Sequence, residues 1–144
     1  MDDNPLIACL SHGVRLEEAN RERLRRLAGE ARLVPARTEL SRQGDRPERV
    51  HAILDGVACC TRLTEDGGRS IMNLVLPGDV CDLHVFVLRR MDHTVATLTE
   101  CQVASVPAAT IEELTEAHPR VARALWWSSL LDESILREWL VNMG

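Results

Sequence analysis

Apolar residues change their spacing twice along this chain. Between Val14 and Ala28, Leu16, Ala19, Leu24 and Leu27 cluster on one side of a helical wheel and charged residues fill the rest. That pattern predicts an amphipathic helix, with Gly29 as its stop. From Ala31 the chain breaks into short apolar runs separated by Pro35, Gly44-Asp45, Pro47 and Asp55-Gly56. Short runs with turn signals every eight to twelve residues or roughly so predict an all-β sandwich or barrel. Asp55-Gly56 and Asp66-Gly67-Gly68 read as hairpin turns, because glycine tolerates positive φ. "HAILDGVACCTRL" and "RSIMNLVLPGD" therefore read as consecutive antiparallel strands. Residues 96–107, "ATLTECQVASVP", alternate as a further strand, with Leu98, Cys101 or Val103, and Val106 as core positions.

After Pro107 the helical period returns. "AATIEELTEAHP" predicts a short helix with Thr110 as N-cap and Glu113 three residues on, as in a capping box. His118-Pro119 ends it, and Pro119 suits the first position of the next helix. "PRVARALWWSSLLDESILREWLVNMG" then runs to Gly144 without a breaker. Its apolar side chains sweep an arc of roughly 220°, whereas a helix on one surface needs about 100°. Trp126 and Leu130 lie outside even that arc. Such a helix touches its own β-domain and a partner; a symmetric dimer through Leu125, Trp127, Leu131, Ile135 and Trp139 is the simplest solution. The alternative is a helix enclosed within one domain. Ser128 and Asp132 interrupt the arc, so it is no leucine-zipper seam. The expected organisation is a helical segment over 1–30, a β-domain over 31–107, and a short helix plus long dimerisation helix over 108–144. The end at Gly144, directly after a helix, reads as a cut within a longer protein.

Composition narrows the function. A length of 144 residues suits one domain, and 45% apolar with 27% charged residues is a globular balance. A net charge of −5 argues against this chain gripping a nucleic-acid backbone by itself. No apolar run nears the ~18 residues of a membrane span, and the acidic N-terminus lacks the marks of a signal peptide. The five cysteines, Cys9, Cys59, Cys60, Cys81 and Cys101, include no C-x-x-C pair. Reduced thiols in a cytoplasmic protein are expected.

Four stretches carry a resemblance: "SRQGD" (41–45), "VHAILDGVACCTRLTEDGGRS" (50–70), "LVLPGDVCDL" (74–83), and "ATLTECQVASVP" followed by the helices. The order helix, β-roll with spaced glycines Gly44, Gly56, Gly67 and Gly78, short helix, long helix resembles the sensor half of the bacterial catabolite activator/fumarate-nitrate regulator (Crp/Fnr) superfamily. The resemblance implies a double-stranded β-helix (a cupin-like jelly roll) of the cyclic-nucleotide-binding type, followed by a dimerisation helix. It implies a homodimeric, non-enzymatic transcription regulator that binds DNA through a winged helix-turn-helix expected beyond residue 144. A small-molecule effector in the roll would bias the packing of the long helices.

The family's nucleotide cassette follows "PGD": a glycine–glutamate pair takes the ribose, and an arginine before a small residue takes the phosphate. Here the chain reads Cys81-Asp82-Leu83 at the first place and Met91-Asp92-His93-Thr94 near the second. Asp82 can accept a hydroxyl; Asp92 repels a phosphate; Arg89 and Arg90 stand a few residues early. The candidate ligand residues are Gly78, Asp79, Asp82, Leu83, Arg89, Arg90, Asp92, His93 and Thr94. The cassette thus reads as degenerate toward a cyclic nucleotide. Haem or a metal is the second idea, since Cys81, Asp82, His84, Asp92 and His93 have ligand chemistry. Cys81 and His84 would face opposite sides of a strand, so no metal site is assigned. Cys59-Cys60 would put one thiol inward and one outward, a possible redox position. His12, His51 and His118 read as surface or capping residues. Two other functions compete: a metal-dependent cupin-like enzyme, whose H-x-H…E…H spacing is missing, and a ligand-free dimerisation platform.

Overall fold

The computed structural model describes residues 4–83 and 89–144. Two helices open the chain, α1 (Pro5–Ser11) and α2 (Glu18–Ala28). Asn4 caps α1 by accepting from the Ile7 amide at 3.0 Å, with proline at the first turn. The sequence pattern missed α1, whose seven residues are too few to show a period. Gly29 follows α2 as its C-cap, as expected.

Among the described residues eight strands follow: β1 (Arg32–Val34), β2 (Glu39–Ser41), β3 (Arg49–Asp55), β4 (Ala58–Leu63), β5 (Arg69–Val75), β6 (Val80–Cys81), β7 (Thr94–Thr97) and β8 (Cys101–Pro107). They form two four-stranded antiparallel sheets, ordered β1-β8-β3-β6 and β2-β7-β4-β5. The expected mainly-β fold with flanking helices and a long C-terminal helix is present. Two details differ. Asp55-Gly56 is not a hairpin: β3 and β4 lie in opposite sheets, and the turn carries the chain across. Gly56 has φ +89°, and a Cβ there would fall 2.3 Å from the Glu100 carbonyl. Asp66-Gly67-Gly68 does join the paired strands β4 and β5. Residues 96–107 are likewise two strands in two sheets. The chain turns at Leu98, which is 43% exposed, while Cys101, Val103 and Val106 are buried.

The β3 strand explains the layering. Its alternate residues Val50 and Ala52 face the apolar space beneath α1 and α2, beside Leu6, Leu10, Leu24 and Leu27. His51 and Ile53 turn the other way and are buried as well. One sheet is therefore covered on both faces. Helix α3 (Ala108–Ala117) adds Ile111 and Leu114 to that layer. It begins directly after Pro107, with no side-chain cap, so Thr110 lies inside the helix rather than at its cap. Helix α4 (Pro119–Met143) follows at once, with proline at its start. Its first half buries Val121, Ala124, Leu125 and Ser128; its second half leaves Leu131, Ile135, Trp139, Leu140 and Met143 exposed.

Candidate functional site

The turn Pro77-Gly78-Asp79 joins β5 to β6, and Asp79 closes it by accepting from the Leu76 amide at 2.8 Å. Gly78 has φ +98°, and a Cβ there would sit 2.7 Å from the Pro5 carbonyl oxygen. The glycine thus lets α1 press onto the turn. Cys81 pairs opposite His51 in the ladder. Asp82 follows in the left-handed region, φ +71°, which an aspartate adopts more readily than a branched residue.

Asp82 is the centre of a buried polar cluster. Its Oδ2 accepts from Ser41 Oγ at 3.1 Å and from His51 Nδ1 at 3.0 Å, which joins β2, β3 and β6. Among the described residues its Oδ1 has no hydrogen-bond partner, although the side chain is fully buried. From the sequence His51 reads as a surface or capping residue. It is buried because its face of β3 turns into the roll toward this carboxylate.

A cavity of about 420 Å³ lies between the roll and α4. Asp79, Asp82, Leu83, Asp92 and His93 line it from the roll; Ser129, Asp132, Glu133 and Leu136 line it from the helix. Met72, Leu74, Val75 and Cys60 supply apolar wall. Asp92 Oδ1 accepts from His93 Nδ1 at 2.5 Å. Burial, reinforced by Asp79, raises the Asp132 carboxyl to about 6. Burial also raises Asp79, partly offset by the Leu76 amide.

Five of the nine candidate residues therefore meet at one cavity: Asp79, Asp82, Leu83, Asp92 and His93. The other four lie elsewhere. Gly78 packs on α1, and Thr94 is buried in β7, accepting from the Gln43 amide at 2.9 Å. Arg89 and Arg90 are exposed and do not line the cavity. His84 lies outside the described residues. Among those described, no three His, Cys, Asp or Glu side chains converge as a metal cluster. Sequence reasoning missed Ser41, His51, Ser129 and Glu133. Its one usable signal was Asp132, a charge interrupting the apolar arc of α4.

Of the dimerisation candidates, Leu125 is buried within its own subunit and Trp127 lies against Gly13. Leu131, Ile135 and Trp139 are exposed. Neither Cys59 nor Cys60 of β4 is exposed as an outward thiol would be: both are buried.

The sequence matches the family described as "Cyclic nucleotide-binding domain" over residues 31–118, from β1 through α3. The chain belongs to that family. The match runs from β1 through β8 and ends as α4 begins. A curated relative is the transcriptional activator protein FnrL of Cereibacter sphaeroides, 30% identical over 105 residues. Those residues are 70% of this chain and 40% of FnrL, so the chain spans under half of that relative's length. The shared stretch makes this cyclic nucleotide-binding domain similar to part of FnrL.

Two solved structures show the same fold. A cyclic nucleotide-binding domain from Methylobacillus flagellatus KT superposes with a TM-score of 0.79 at 13% identity, covering 97% of this chain and 83% of that one. The catabolite activator protein of Thermus thermophilus gives 0.71 at 18%, covering 92% and 62%. Among the described residues, no helix is long and apolar enough to cross a membrane.

Proposed function

We propose that this domain is the regulatory sensor of a Crp/Fnr-type DNA-binding transcription regulator and works as a homodimer without catalysis. The carrying observation is the shared use of α4. One stretch of helix, Ser129 to Leu136, walls the cavity against Asp79 and Asp82 of the roll. The same stretch exposes Leu131 and Ile135 on a face that continues through Trp139 and Met143. Whatever occupies the cavity therefore touches the element that would meet a partner.

A second copy is the occupant of that exposed face. Leu131, Ile135, Trp139 and Met143 form a cleft of about 490 Å³ with Ile71, Met72, Leu74 and Leu76 on and just after β5. Helix and hairpin together expose a contiguous apolar surface of the kind that marks an interface. A two-fold pair would bury one copy's α4 against the other's α4 and β5. Leu125 and Trp127 serve the subunit's own packing instead. DNA binding would belong to a segment beyond residue 144, and the regulator would act in the cytoplasm.

The cassette is degenerate toward a cyclic nucleotide in this reading. A phosphate needs a charge-assisted donor. No arginine or lysine lines the cavity among the described residues, and five acidic residues do. The test is sedimentation velocity. The wild-type domain is expected to run as a dimer at micromolar concentration, and Ile135→Glu with Trp139→Glu as a monomer with unchanged circular dichroism. A wild-type monomer at high concentration would sink the proposal.

A further inference from the structure

The inner face of the sheet strands β1, β8 and β3 changes character along its length. Arg32 and Ile53 stand opposite Val103, His51 opposite Ser105, and Arg49 opposite Pro107, so these side chains share one face. Val103 and Ile53 are fully buried. Beyond them the face turns polar. Arg32, Arg49, His51 and Ser105, with Leu40 of the other sheet, line an open notch of about 530 Å³.

His51 is the buried member of this lining, with a side chain only 8% exposed. Its Nδ1 donates to Asp82 Oδ2 at 3.0 Å, and that bond fixes the ring. Nε2 makes no hydrogen bond among the described residues. Yet Nε2 is not a fully buried orphan, a state that among those residues belongs to Asp82 Oδ1 alone. Nε2 therefore keeps surface of its own, and the notch is the cavity that His51 lines. Arg49 is held beside it: Nε donates to Ser105 Oγ and Nη2 to the Ser105 carbonyl, both at 2.8 Å. Nη1 is left over. Glu30 and Glu48 also line the notch, but neither arginine forms an ion pair with a described carboxylate.

We propose that the notch binds a small oxyanion, a carboxylate or phosphate compound whose charged oxygens are taken by Arg32 and Arg49 and which meets His51 Nε2 at the floor. Guanidinium groups offer charge-assisted forks to either kind of anion. A carboxylate behind a histidine fixes which nitrogen faces the ligand. Nε2 accepts from a hydroxyl when the ring is neutral and donates to an oxygen when it is charged, which suits a hydroxyl-bearing anion. Glu30 and Glu48 at the same notch repel an extended polyanion, so the ligand is small. A metal is not favoured, because no three His, Cys, Asp or Glu side chains converge among the described residues. The notch shares no lining residue with the cavity under α4, so this site goes beyond the sensor reading and either can fail alone.

The test titrates the purified protein with inorganic phosphate, malonate and citrate, followed by calorimetry and by proton–nitrogen spectra of the histidine rings. Saturable binding weakened by added chloride is expected. The Nε2 resonance of His51 should move more than those of the other four histidines. Arg32→Gln and Arg49→Gln should each weaken binding about tenfold, the loss of a charge-assisted hydrogen bond. Both arginines are exposed, so these variants should keep the fold. His51→Asn keeps an amide donor for Asp82 but removes Nε2, and should weaken binding as well. Tighter binding of phosphate assigns the site to phosphoryl compounds, and tighter binding of malonate or citrate assigns it to carboxylates. No saturable binding of any of the three overturns the proposal. Binding that survives both arginine substitutions, or that leaves His51 Nε2 unmoved, overturns it equally.

Discussion

Trp127 lies so close over Gly13 that a Cβ on residue 13 would come within 2.1 Å of the indole Cδ2. The contact joins α4 to the short connection between α1 and α2, just before the cavity-lining part of the helix begins. It also assigns the second tryptophan of the "WW" pair to the subunit's own packing, while Trp126 remains 70% exposed.

A side chain at position 13 must therefore displace the indole or shift α4. Gly13→Val should destabilise the domain by about 1–3 kcal/mol, the usual cost of overpacking. Urea unfolding followed by tryptophan emission checks both parts. The midpoint should fall, and the folded-state emission should move to longer wavelength as Trp127 becomes wetter. An unchanged midpoint would mean that α4 is not seated on this loop.

Asp132 gives the cavity a pH signature. Its carboxyl is raised from an ordinary aspartate to about 6, first by burial and then by Asp79. Between about pH 4 and 6 the folded state then holds more protons at this residue than the unfolded state. Stability from Asp132 is therefore greatest when it is protonated, and it declines as pH rises through 6. Asp79, raised by burial, acts in the same direction. Asp132→Asn mimics the protonated form. Relative to wild type, it should gain in melting temperature above pH 6 and lose that advantage at pH 4. Parallel thermal melts from pH 4 to 7.5 measure the difference, which removes the contribution of carboxylates common to both proteins. A constant offset across the range would contradict the raised carboxyl.

Most of the fold was legible because local chemistry decided it. Gly78 and Gly67 mark turns that only small, permissive residues make, and Pro119 begins a helix where its missing amide costs nothing. Errors arose where tertiary placement outranks the local signal. Asp55-Gly56 carries a hairpin signature, yet the jelly-roll path sends β3 and β4 to different sheets. Sequence spacing does not record which sheet a strand joins. His51 sits in an apolar run yet reads as a surface or capping residue, because its partner Asp82 is 31 positions away. The cavity was half visible. Its roll-side carboxylates follow "PGD", but Glu133 and Ser129 come from a helix whose position over the roll is purely a product of packing.

The thiols offer the last prediction. Cys60 is raised to about 12, by burial first and by Asp82 second. Burial first and Asp82 second also hold Cys81 well above an ordinary thiol, and burial raises Cys59. Only a thiolate attacks a disulfide reagent, and with a value near 12 the ionised fraction of Cys60 at pH 8 is roughly one in ten thousand. Cys9 is half-buried and is also raised, by burial and then by Asp79 and Asp132. Nothing in this setting favours the redox position that the adjacent cysteines suggested, since both thiols are buried. Under native conditions at pH 8, Ellman's reagent should modify Cys59, Cys60 and Cys81 at the rate of global opening, orders of magnitude slower than a free thiol. Denaturant should release all five cysteines at once. Mass mapping of partially labelled protein identifies the sites. Rapid native labelling of Cys59 or Cys60 would show that β4 opens independently of the rest of its sheet, and would restore a thiol switch at that strand.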